Sequence, residues 1–236
     1  MNLFQELLNA LVPSKCELCH RRGWSICGAC RQTLKVLPRN SIRQFDNHTS
    51  DLAGISFFDY LPPIPNLMHA FKERGITEII DHLVDSIDSD RLVSAIEQMR
   101  GISFETDLVL VPVPSSLAAF RQRGFSPASK VARSLSKAAN SGGLQNRVIN
   151  LLMRSRSVAD QASLDTVGRR KNQQESMVAI HQLTGDVLLI DDIVTTGATL
   201  SEARRAVNQA GGRVIGFCTL AETLLKQQVK SAKPNT

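Results

Sequence analysis

Two adjacent aspartates close an apolar run and lead at once into a turn lined with hydroxyls in VLLIDDIVTTGATL, residues 187–200. The threonines and Gly197 run into a helical pattern, so free backbone N–H groups at a helix start and threonine hydroxyls can surround a phosphate. Gly197 lets the main chain approach a ligand where a side chain would block it. Carboxylates beside such a cradle repel a bare anion, so Asp191 and Asp192 must face hydrogen-bond donors such as ribose hydroxyls, or a bound Mg2+. The stretch therefore reads as a sugar-phosphate cradle. A P-loop is excluded because no G-x-x-x-x-G-K occurs, and a dinucleotide fingerprint because G-x-G-x-x-G is absent.

A second chemistry lies near the start. Cys16, Cys19, Cys27 and Cys30 form two C-x2-C pairs seven residues apart in CELCHRRGWSICGAC. Two such knuckles turn four thiolates toward one point, which suits a tetrahedral zinc. Disulfides are the competing reading, and His20 a substitute ligand. Four cysteines leave no open coordination position, so the zinc is expected to be structural, supplying folding free energy to a segment too short to hold itself by apolar burial. Cys218 stands alone in an apolar stretch and reads as a buried small residue.

The elements that position these residues follow from the hydrophobic pattern. GISFFDY, DLVLVPVP, VINLLMRS, DVLLIDD and RVIGFCTLA read as strands, and PNLMHAFKER, ITEIIDHLVDSI, SPASKVARSLSKAAN and ATLSEARRAVNQAGG as helices, with breaks at Gly75 and at the final glycine pair. Ser126 and Pro127 occupy helix-start positions. Strands alternating with helices, several of them continuous Val/Leu/Ile runs, indicate an α/β fold with an open parallel sheet covered on both faces. Ligands bind such sheets at the carboxyl ends of strands, which is where the acid pair falls. Residues 2–11 and GACRQTLKVL read as helices entering and leaving the knuckle, and the polar stretch PRNSIRQFDNHTSD as a boundary. The expected division is a zinc-binding module over 1–38, a connecting region of strand and helix packed on the core over 39–106, the catalytic-type domain over 107–225 and a disordered tail over 226–236.

The chain has 236 residues, 42% of them hydrophobic, and a formal charge of +6. No stretch approaches the roughly 18 to 20 uninterrupted apolar residues of a membrane helix, and the first residues lack the pattern of a secretory signal. A cytoplasmic location without membrane insertion is expected. From Arg121 to Lys171 eleven basic residues face two acidic ones, a positive field suited to phosphate-bearing partners.

At these residues the chain resembles a known family. LLIDDIVTTGATL is similar to the phosphoribosyl-pyrophosphate loop of type I phosphoribosyltransferases, and the wider chain resembles the ComF family of zinc-ribbon and phosphoribosyltransferase-domain proteins associated with bacterial DNA uptake. The cysteine pairs, MHAFKERG, PVPSSLAAFRQRGFSPAS, DQASLDTVGRRKNQQESM and the loop carry the likeness, although Ser126 and Pro127 stand where the family has Asn-Gln. The resemblance implies a type I phosphoribosyltransferase-like open parallel sheet with an N-terminal four-cysteine zinc-binding module, binding phosphoribosyl pyrophosphate or a related sugar phosphate with Mg2+. It implies that Asp191 and Asp192 hold the ribose hydroxyls, and that Thr195, Thr196, Gly197, Ala198 and Thr199 hold the 5-phosphate. Val113, Pro114, Ser115 and Ser116 would handle pyrophosphate, with Lys72, Arg121 and Arg123 neutralising charge, and Arg123 joining the two aspartates in catalysis. Residues 156–171 match a loop that closes over the reaction, with Gln161, Arg169 and Lys171 as its contacts. The implied reaction is pentosyl transfer to an acceptor that the sequence does not spell. Two alternatives stand beside it: a sensor that binds the ligand without turnover, and a non-catalytic DNA-uptake accessory that docks a helicase or holds single-stranded DNA.

Overall fold

The computed structural model describes residues 15–38, the backbone of 43–44, and residues 52–101, 107–155 and 176–223. The helix expected over 2–11 and the tail expected over 226–236 lie outside them. In chain order the described strands are β1 (Arg43–Gln44), β2 (Ala53–Asp59), β3 (Leu108–Pro112), β4 (Arg147–Val148), β5 (Leu152–Arg154), β6 (Met177–Ala179), β7 (Asp186–Val194) and β8 (Arg213–Glu222). The helices are α1 (Gly28–Leu34), α2 (Ile64–Arg74), α3 (Glu78–Asp85), α4 (Ser89–Arg100), α5 (Leu117–Arg123), α6 (Pro127–Ser141) and α7 (Ala198–Gln209).

Six strands form one sheet in the order β1-β2-β8-β7-β3-β4, parallel except at β1. Because successive side chains of a strand point to opposite faces, the continuous apolar runs of β3 and β7 feed two cores at once. Leu108, Leu110, Leu188 and Ile190 pack with α2, α3, α4 and α6 on one face. Val109, Val111, Val187 and Leu189 pack on the other with Leu200, Ala203 and Val207 of α7 and with Leu152 and Met177. The expected layering is thus present, and the sheet extends beyond residues 107–225, since β2 pairs in parallel with β8. That pairing requires Gly54: a Cβ there would lie 2.2 Å from the ring of Phe217, its cross-strand partner.

Local signals place the helices. Ser126 accepts a hydrogen bond from the Ser129 amide and Pro127 opens α6, while Gly75 ends α2 in the left-handed region at φ 68°. VINLLMRS, expected as one strand, is two. The Leu151 amide donates to the Ile149 carbonyl, a tight turn about Asn150 that takes the chain out of the main sheet and into an antiparallel β5–β6 pair. Helices α4 and α5 went unread in the sequence; Asp88 caps the first through the Asp90 and Arg91 amides. No helix among the described residues is long and apolar enough to cross a membrane.

Candidate functional site

The carboxyl ends of β3 and β7 lie side by side, joined by the bond from the Val113 amide to the Ile190 carbonyl, and a cleft of about 200 Å³ opens above them. Asp191, Asp192 and Thr199 line it from the β7 side, and Val113, Pro114, Ser115 and Ser116 from the β3 side. Lys72 enters from α2, Arg123 from the end of α5 and Arg154 from β5. Thr195, Thr196 and Ala198 are exposed in the loop beyond β7. Gly197 there takes φ 74° and serves as the N-cap of α7 with no side-chain cap of its own, so beyond the Ala198 amide the first turn of the helix is left for a ligand or water. Thr196 Oγ1 accepts from the Ala198 amide at 3.5 Å. Ser116 already has a structural task, since its hydroxyl caps α5 through the Ala119 amide.

Charge in the cleft is arranged in pairs. Lys72 Nζ lies 2.9 Å from Asp192 Oδ2, and Arg123 Nη2 donates to Glu73 Oε1 at 3.0 Å. Burial pushes the Asp191 carboxyl up to about 7, Asp192 adds to the rise, and the Asp192 amide, Lys72 and Arg154 pull against it. The Asp191 Oδ1 accepts from that amide at 2.9 Å. Arg121 is exposed and does not line the cleft. Gln161, Arg169 and Lys171 lie outside the described residues. Arg154 was missed in the sequence, where nothing distinguishes it within the long basic span.

The four N-terminal cysteines converge as well. Their sulfur atoms all lie within 4.8 Å of one another and none is in a disulfide. Such a set matches the spread of four thiolates around one zinc at Zn–S distances of about 2.3 Å, so these cysteines can hold a zinc ion. The Cys27 amide donates to Cys16 Sγ at 3.4 Å. Burial opposes ionisation of Cys16, but the Cys27, Cys19 and Leu18 amides together draw its thiol down to about 6. His20 is exposed and stands apart from the converging set. The module is docked on the core: Ile26 and Leu34 are fully buried with Ile79 and Phe71. The Ser25 hydroxyl donates to Glu78 Oε2 at 2.9 Å, and Arg74 pairs with Glu17.

Several known proteins resemble this chain over most of its length. A model of the phosphoribosyl transferase domain matches residues 99–235. The DNA utilization protein YhgH of Salmonella typhi is 24% identical over 90% of this chain and 99% of its own, and the competence protein ComFC of Bacillus subtilis is 26% identical over 83% and 72%. Among solved structures, an adenine phosphoribosyltransferase from Saccharomyces cerevisiae is 16% identical, with a TM-score of 0.36 over 89% of this chain and 96% of that one.

Proposed function

We propose, because the chain belongs to the phosphoribosyl transferase domain family and is of the ComF type, that its cleft binds phosphoribosyl pyrophosphate with Mg2+ and transfers the phosphoribosyl group. The supporting observation is that an acid pair, a hydroxyl-lined helix start and a second strand-end loop share one cleft. In this reading Asp191 and Asp192 accept hydrogen bonds from the ribose hydroxyls, residues 195–199 hold the 5-phosphate, and Val113 to Ser116 receive the diphosphate. The carboxylates and the ligand phosphates are hard oxygen donors of the kind Mg2+ takes, and the ion, when bound, supplies charge neutralisation to the leaving diphosphate. The cations around the cleft stabilise the same developing charge. The zinc module is structural, and the protein works in the cytoplasm, where its thiols stay reduced.

Calorimetry with phosphoribosyl pyrophosphate and Mg2+ tests the cradle. The parent protein should bind, and the Asp191→Asn, Asp192→Asn double variant should bind at least about 10-fold more weakly, the loss of charge-assisted bonds. A parent that does not bind sinks the reading. Release of pyrophosphate on adding candidate nitrogen bases separates an enzyme from a sensor.

One observation favours the nucleic-acid reading as a second property of the chain. Lys15, Arg21, Arg22, Arg31 and Lys35 are all exposed on the zinc module, whose one acidic residue over 15–38, Glu17, is taken by Arg74. Trp24, the single tryptophan of the chain, is 65% exposed among them with the Arg31 guanidinium 5.9 Å from its ring centre. Cations around an exposed ring suit a single strand, by phosphate contact and base stacking. Quenching of Trp24 fluorescence by oligothymidylate, weakening steeply with salt, is the expected result; unchanged fluorescence removes this surface from the account.

A further inference from the structure

Helix α2 ends in three consecutive charged residues, and each is tied to a different part of the molecule. Lys72 meets Asp192 in the cleft at 2.9 Å, Glu73 accepts from Arg123 of α5 at 3.0 Å, and Arg74 pairs with Glu17 of the zinc module. Successive side chains leave a helix about 100° apart, so this one turn reaches the cleft, the cation beside it and the cysteine module at once.

The module also grips the far side of the turn. Ser25 donates to Glu78, the first residue of α3, at 2.9 Å, so Glu17 and Ser25 hold the chain on either side of Gly75. These two are joined to each other, the Glu17 amide donating to the Ser25 carbonyl at 2.9 Å. Each adjoins a different cysteine pair: Glu17 lies between Cys16 and Cys19, and Ser25 just before Cys27. A metal that draws the two pairs together therefore also sets the spacing of the two residues that hold the turn. Behind these polar links, Ile26 and Leu34 pack in the core that contains Phe71, and the Phe71 ring centre lies 5.3 Å from that of Phe125, close in sequence to Arg123. Close-packed elements of this kind pass on a change as a discrete repositioning rather than absorbing it gradually.

From this geometry we propose that zinc at the four cysteines and the ligand of the cleft are energetically coupled, each strengthening the binding of the other through the junction of α2 and α3. The inference rests on the sugar-phosphate reading of the cleft and gives the structural zinc a second, regulatory task. The two-state element is the module itself. With zinc it is folded and holds Arg74 and Glu78; without zinc it loses the free energy that folds it, and Lys72 and Arg123 lose the support behind them. Coupling between two sites is reciprocal, so the ligand changes zinc affinity by the same factor by which zinc changes ligand affinity.

Competition with a chromophoric zinc chelator tests it, on the full chain at low salt, with and without saturating phosphoribosyl pyrophosphate and Mg2+. The ligand should raise the zinc affinity of the parent at least about 5-fold, the lower end of ordinary coupling between sites. Calorimetry should find the ligand binding the zinc-loaded protein more tightly than the zinc-depleted one by the same factor. The double variant Ser25→Ala, Arg74→Met should still take zinc and bind the ligand, with the effect of either on the other reduced to less than about twofold. Arg74→Met alone, at an exposed position, should lose part of the coupling and stands in should the double variant fail to fold. A parent whose zinc affinity ignores a ligand that it binds overturns the coupling and leaves the cradle standing, and coupling undiminished in the variants overturns its route. A parent that binds no ligand removes the cradle, and this inference with it.

Discussion

Lys72 and Asp192, far apart in the chain, meet at 2.9 Å between Nζ and Oδ2, and Asp192 is 7% exposed. Asp191, its neighbour, forms no ion pair among the described residues and accepts instead from the next backbone amide. The two carboxylates are thus unlike: one is buried and countered by a cation, the other is raised toward neutrality.

Removing the cation isolates the first. Lys72→Met leaves Asp192 buried without its partner and should destabilise the fold by about 1–3 kcal/mol in urea unfolding, a figure reduced from that of a fully buried pair because Lys72 is partly exposed. The same variant should bind phosphoribosyl pyrophosphate more weakly. Stability equal to the parent would show that the pair contributes nothing.

The second carboxylate sets a pH dependence. Asp191 in the folded protein keeps its proton up to about 7, whereas in the unfolded chain it loses it near about 4. Between those values the native state binds the extra proton, so this residue makes stability fall as pH rises from about 4 to about 7. Binding of ribose hydroxyls or Mg2+ by the ionised form should strengthen as pH rises through about 7. Asp191→Asn should flatten both profiles, and a slope that survives the change assigns the titration to another group.

The cysteine cluster should carry one zinc per chain by atomic absorption. Chelation, or Cys16→Ser, should lower the melting temperature of the whole chain, because Ile26 and Leu34 lie in the same core as Phe71 and Ile79. An unchanged melting curve after complete metal removal would make the module self-sufficient.

At the opposite end of the sheet, Asp186 is fully buried and accepts from Arg100 Nε at 2.8 Å and Arg213 Nε at 2.7 Å. Asp186→Asn should cost about 3–5 kcal/mol, the range for breaking a buried ion pair from one side, with no change in ligand specificity. A loss below about 1 kcal/mol in chemical denaturation contradicts this.

What could be read in the sequence was local. The run VLLIDDIVTTGATL holds its strand, acid pair and helix start within one stretch, and the two cysteine pairs announce their convergence by spacing alone. Arg154 could not be read, because its place at the cleft depends on the turn about Asn150 and on pairing with a strand that begins at Met177. The arginines in the RQRGF block look alike in sequence, yet α5 turns Arg123 toward the cleft and Arg121 to solvent. The pairing of β2 with β8 joins segments from opposite ends of the chain, which periodicity does not report.

That last pairing bears on where the protein can be cut. The stretch matched by the domain model begins at residue 99, after β2, so a fragment trimmed to it would present β8 from Phe217 to Glu222 as a bare edge. Naked edges template aggregation, so a fragment cut at residue 99 is expected to aggregate at concentrations where the full chain does not.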